Sequence, residues 1–157
     1  MIAMAIKVRK AGLDELGLLM EWRMRVLREV FSLTDDTDLC ELRGANEKYY
    51  RKHLADGTHV ACIATDEETR RVVGCGGICY QREMPSPDNP SGTCGYLMNV
   101  FAVPEERGRG IGRKVVEFLI DDARTKGTGK IYLESSEVAK PLYHSMGFHD
   151  MSDYMKL

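Results

Sequence analysis

Apolar and polar positions alternate along the chain with two periods, near 2 and near 3.6, and the changes between them mark the elements. Residues 5–10 read as a strand. From Asp14, placed to cap a helix, the apolar positions Leu16, Leu19, Met20, Leu27 and Phe31 recur at helical spacing. The stem of Arg23 lies on the same stripe. The polar run SLTDDTD (32–38) ends that pattern. A second helix is predicted from Leu39 to about Ala55, with Gly57 just past its end. THVACIATD (58–66) and RVVGCGGICYQRE (71–83) read as strands joined by the polar turn DEET. MPSPDNPSGT (84–93) carries three prolines and must be a loop. CGYLMNVFAV (94–103) is apolar almost throughout, which suits a central strand. A helix over about 110–126, a strand at 130–135, a helix over about 137–146 and a last strand from Phe148 complete the series. The order β-α-α-β-β-β-α-β-α-β predicts a mixed sheet with helices packed on it.

Length and composition narrow the field. A chain of 157 residues can bury one good core, so residues 1–157 are expected to form a single domain. A net charge of -2 and a pI of about 6.1 supply no overall field for nucleic acid or an anionic membrane. No apolar run is long enough to span a bilayer. The start, MIAMAIKVRK, is apolar but short and lacks the basic opening and cleavage site of a signal peptide, and it reads as a first strand. The five cysteines are scattered, with no C-x-x-C pair. A cytoplasmic protein with reduced thiols and no metal is the expectation.

The chemistry concentrates in PEERGRGIGRKVVEFLIDDAR (104–124). Pro104 stops a strand, and a helix opens near Gly110. The first N–H groups of a helix have no internal partner, and its dipole adds positive potential there. Glycines let that backbone approach a ligand closely, and Arg107, Arg109, Arg113 and Lys114 add cations. The combination suits a phosphate-bearing ligand. It is no Walker A loop, because G-x-x-x-x-G-K-S/T is absent. The spacing G-x-G-x-G, late in the chain, also departs from the dinucleotide fingerprint. An RGG-type nucleic-acid segment would be disordered, whereas this one runs straight into an amphipathic helix.

What remains is R-x-x-G-x-G at Arg107, Gly110 and Gly112. This resembles the acyl-coenzyme A pyrophosphate loop of the GNAT superfamily of N-acetyltransferases. NVFAVPEERGRGIGRKVVEFLIDDARTKG looks like that family's central motif, and YLESSEVAKPLYHSMGF like its next one. The resemblance implies an α+β fold with a mixed, mostly antiparallel sheet and helices on both faces. It implies acetyl-coenzyme A as co-substrate, with no metal. Backbone N–H groups of Gly108, Arg109, Gly110, Ile111, Gly112 and Arg113 would grip the pyrophosphate beside Arg107. Val100, Phe101 and Ala102 would offer backbone groups to the pantetheine arm and thioester, one N–H serving as oxyanion donor. Tyr143 matches the family's tyrosine and would protonate the departing thiolate. On pattern alone it is equally a core residue, since Ala139, Leu142, Tyr143 and Met146 form an apolar stripe. Ser136 would touch the pantetheine or cap the helix that follows. For the general base, Glu134 is the nearest carboxylate, but it reads better as a solvated charge at a strand end, and water relayed to backbone carbonyls would serve equally.

The implied activity is acetyl transfer to a primary amine, on a small molecule or a peptide, by direct attack in a ternary complex. No cysteine falls in a motif with a paired histidine, so an acyl-cysteine has no support. The acceptor region would be the first two helices, where Glu21, Trp22, Arg23, Arg25 and Arg28 cluster, with the loop 84–93 as a lid. Trp22 suits the core better than a pocket wall, and Asn99 is a lone polar residue in an apolar strand. A non-catalytic coenzyme A sensor is the rival reading. No nucleic-acid or membrane partner is expected, and a homodimer is compatible with the fold by analogy.

Overall fold

Runs of β-branched and small apolar residues hold the middle of the chain extended. In the computed structural model, which describes residues 5–157, five strands form one sheet in the order β1 (Ile6–Ala11), β2 (His59–Asp66), β3 (Arg71–Arg82), β4 (Thr93–Ala102), β5 (Lys130–Leu133). The first four are mutually antiparallel, and β5 runs parallel to β4. Four helices accompany them: α1 (Leu16–Val30), α2 (Cys40–Asp56), α3 (Ile111–Thr125) and α4 (Lys140–Ser145). Residues 1–4, part of the stretch read as a first strand and no signal peptide, lie outside the described residues.

Helices cover both faces. On one, α3 lies so close that a Cβ at Gly76 would sit 2.4 Å from a Val115 methyl, and one at Gly74 would sit 2.7 Å from Ile111. On the other, α1 sets Trp22 against Phe101 of β4, ring centroids 6.3 Å apart, and α2 sets Tyr49 and Tyr50 against His59. Trp22 is therefore a core residue. Val60, Ile63, Ile78, Ile111, Val115, Val116 and Leu119 are fully buried in the resulting layers. Cys62, Cys75 and Cys94 are buried free thiols that fill space as small apolar groups.

Two expectations need correction. Residues 148–157 form no strand. Phe148 instead turns its ring edge-on to Tyr143 at 5.7 Å, and the segment that follows is exposed. Its Asp150 and Asp153 are poor strand formers. It is held by side chains, through His144–Asp150 at 3.0 Å and a Lys130 Nζ donation to the Tyr154 hydroxyl at 2.5 Å. Asp14 caps nothing: it lies inside a short 3-10 turn, Leu13–Glu15, that opens at Gly12 without a side-chain cap.

His59 gives the fold a pH limit. It is buried under α2, with Nδ1 2.9 Å from the Tyr49 hydroxyl, and burial pushes its pKa from 6.5 down to about 4. Between those values the unfolded chain takes a proton that the folded one refuses. The stability is complete above about pH 6.5 and drains away as the pH falls toward 4, by about 3 kcal/mol in all. The thermal midpoint should follow that slope, and His59→Gln should flatten it.

Candidate active site

Every backbone N–H from Gly108 to Arg113 is without an acceptor among the described residues; the first bond of α3 is Lys114 N–H to the Gly110 carbonyl at 3.1 Å. The chain reaches this state by two left-handed glycines, Gly108 (φ 87°) and Gly110 (φ 76°), which turn successive donors outward. No side chain caps the helix, and no acidic residue lies in its first turn. A Cβ at Gly108 would meet nothing within 4 Å, so open space lies over the loop. A phosphate ester fits such a donor set.

The loop's arginines all have protein partners. Arg107 donates from Nε to the Ala102 carbonyl at 3.1 Å and from Nη2 to Glu29 at 2.8 Å. Arg109 pairs with buried Asp66, 3.0 Å away, and with Glu106. Arg113 donates to the Ser145 hydroxyl at 2.5 Å and so ties α3 to α4. The Arg107 pair is exposed on both sides, a kind worth about 0–1 kcal/mol, so an incoming phosphate can compete for it. The backbone amides of Gly108–Arg113 have no partner at all among the described residues, and each guanidinium keeps further N–H groups beside the one or two it has committed.

Just before the loop the sheet opens. β4 pairs with β5 only from Cys94–Lys130 to Leu97–Leu133; beyond Leu97 the two strands part, leaving one edge of Val100–Ala102 without a strand partner. A bulge marks the same place. Between Met98, opposite Gly77, and Phe101, opposite Cys75, β4 carries one residue more than β3, and Asn99 takes a left-handed φ of 59°. The Val103 N–H bonds the Val73 carbonyl at 2.9 Å. By alternation the Ala102 N–H faces the open edge, as its carbonyl does in accepting from Arg107. Phe101 alternates back toward β3, and its ring is buried.

Tyr143 stands on α4, across the fork. The first turn of α3 packs on this helix: a Cβ at Gly112 would lie 3.5 Å from Leu142. The Tyr143 ring is buried, and the hydroxyl has no partner among the described residues. No buried side-chain polar atom among these residues lacks a partner, so that hydroxyl reaches accessible space. Burial raises its pKa above the ordinary value for a phenol. Ser136 is exposed, and its Oγ accepts the Ala139 N–H at 3.3 Å, a capping contact at the turn before α4. Glu134 follows the last residue of β5, where its charge adds to burial in raising the Tyr96 phenol.

The structure also gathers residues to which the sequence assigned no contacts. Arg23 of α1 donates from Nε to Asn46 of α2 at 2.9 Å and from Nη1 to Asn99 at 3.0 Å. The one available signal was a charged residue on an apolar stripe. A concavity of about 600 Å³ between the outer face of α1 and the start of α2, lined by Arg25, Arg28 and Arg43, does not include the fork. Among the described residues no cluster of His, Cys, Asp or Glu could hold a metal, and no helix is long and apolar enough to cross a membrane.

A parted strand pair that leads into a cradle of free amides is the arrangement that the resemblance to coenzyme A-dependent acyltransferases implies. Comparison with known proteins carries this one step further. Residues 18–148 match the model of the Acetyltransferase (GNAT) family, and the chain belongs to it. Glucosamine 6-phosphate N-acetyltransferase of Trypanosoma brucei brucei is 30% identical over 125 residues, covering 80% of this chain and 81% of that one. [Ribosomal protein bS18]-alanine N-acetyltransferase of Salmonella typhimurium is 39% identical over 57 residues, which is 34% of this chain and 38% of that one. Among solved structures, a "predicted acetyltransferase with acetyl-CoA" from Clostridium acetobutylicum superposes with a TM-score of 0.84 at 27% identity, over 97% of this chain and 95% of that one. The protein is an acetyltransferase that uses acetyl-coenzyme A as co-substrate.

Proposed function

We propose that the protein acetylates a primary amine by direct attack in a ternary complex. The observation that carries this reading is the parting of β4 from β5 immediately before the unpaired amides of Gly108–Arg113. The amides of that loop hold the diphosphate. The free edge at Val100 and Ala102 bonds the pantetheine arm and leaves Phe101 to the core, and a β4 N–H polarises the thioester carbonyl. The amine nitrogen forms the C–N bond, the C–S bond breaks, and Tyr143 donates a hydrogen bond to the leaving sulfur. The amine's surplus proton passes to water or to Glu134. Amine acceptors are consistent with the trypanosomal relative, whose name specifies an amino sugar phosphate.

The test is a panel of amines with acetyl-coenzyme A, followed by free thiol release and by mass spectrometry of the products. An N-acetylated product supports the proposal. Coenzyme A binding without turnover on any amine supports the sensor instead.

A further inference from the structure

Arg23 sits in an unusual setting for a charged side chain. Its neighbours at three and four positions along α1, namely Leu19, Met20, Val26 and Leu27, are all buried. A guanidinium therefore leaves the middle of the helix's buried face, where a charge is costly unless paired. Yet no carboxylate lies within ion-pair distance of Arg23 among the described residues. It is held by two neutral amide oxygens only, one from α2 and one from the bulge of β4.

We propose that Arg23 is the anion-reading residue of the acceptor pocket, and that the acceptor is an amine that also bears a carboxylate or a phosphate. This rests on the acetyl-transfer reading above. Three observations converge on it. First, Asn46 and Asn99 fix the guanidinium through Nε and Nη1, while Nη2, the nitrogen shared by its two donor edges, has no partner among the described residues and is not sealed off. An oriented guanidinium with an unpaired terminal nitrogen donates well to an oxyanion. Second, no carboxylate among the described residues pairs with it. Tyr49, Tyr50, His59 and Cys75 are ionisable groups that sense its charge. Burial keeps all of them uncharged near neutral pH, His59 at about 4 and Tyr50 and Cys75 at about 12. Third, the location suits an acceptor. Asn99 lies two residues beyond Leu97, the last β4 residue paired with β5, so an anion on Arg23 places the rest of its molecule beside the fork. The bulge makes this possible: its extra residue delivers the Asn99 side chain to the α1 face.

The experiment compares matched amines: glucosamine 6-phosphate against glucosamine, and alanine against alaninamide. The parent protein should favour the anionic member of one pair, which also separates phosphate from carboxylate. In Arg23→Met the ratio of kcat/KM between anionic and neutral members should fall by ~10–100-fold, mostly through acceptor KM. Arg23→Lys, which keeps the charge and loses the planar fork, should recover part of that ratio and guards against a misfolded Met variant. Equal use of both members by the parent, or a ratio unchanged in Arg23→Met, would overturn the assignment while leaving acetyl transfer intact. Coenzyme A binding with no N-acetylated product from any amine would overturn both.

Discussion

Gly110→Val should abolish useful binding of acetyl-coenzyme A in a protein that still folds. Gly110 holds φ 76° and ψ 17° as the residue before α3. A left-handed conformation costs an ordinary residue about 1–2 kcal/mol, and a β-branched one more. The loop has two ways to respond, and both harm the site. It can keep its path and cover the amides with two methyl groups, or it can relax and scatter the N–H groups of Gly108–Arg113. Losing two charge-assisted hydrogen bonds to a phosphate corresponds to a rise in dissociation constant of ~100-fold or more. The core is insulated from this change, because Ile111, Val115 and Leu119 anchor α3 independently. Calorimetric titration with coenzyme A, alongside circular dichroism to verify the fold, reads both effects. A dissociation constant within about threefold of the parent would show that these amides do not hold the diphosphate.

Tyr143→Phe should lower kcat by ~100-fold and leave coenzyme A affinity almost unchanged. The ring fills the same space against Phe148, and the hydroxyl has no partner whose loss would destabilise the fold. A phenol titrates near ~10 and a thiol near ~8.5, so complete proton transfer to the departing sulfur is already uphill. Burial raises the Tyr143 phenol further. The group therefore remains a hydrogen-bond donor throughout the neutral range and eases departure of the thiolate without fully giving up its proton. A kcat within about threefold of the parent would make Tyr143 a core residue and nothing more.

The central half of the molecule was legible because its signals are local. The glycines at 108 and 110, the proline at 104 and the apolar period of α3 each act within a few residues, and the structure shows the strand, turn and helix they announce. Three features were not legible, for a shared reason. The partners of Arg107, Arg109 and Arg113 include Glu29, Asp66 and Ser145, far along the chain, so a local cluster of positive charge could not show what engages it. Arg23 could be placed on the inner stripe of α1, but periodicity says which way a stem points and nothing about what meets its head. The strand expected from Phe148 had apolar residues but no pairing that the local pattern could test.

The paired glycines of β3 have a consequence far from their own position. Because residues 74 and 76 lack side chains, α3 rests directly on the sheet, and its first turn stands at a fixed height above the open end of β4. The donor molecule has a fixed length between its charged end and its sulfur. Those two absent methyl groups thus work as a gauge block: they set the distance that this length must span, and they tune donor fit without touching the donor.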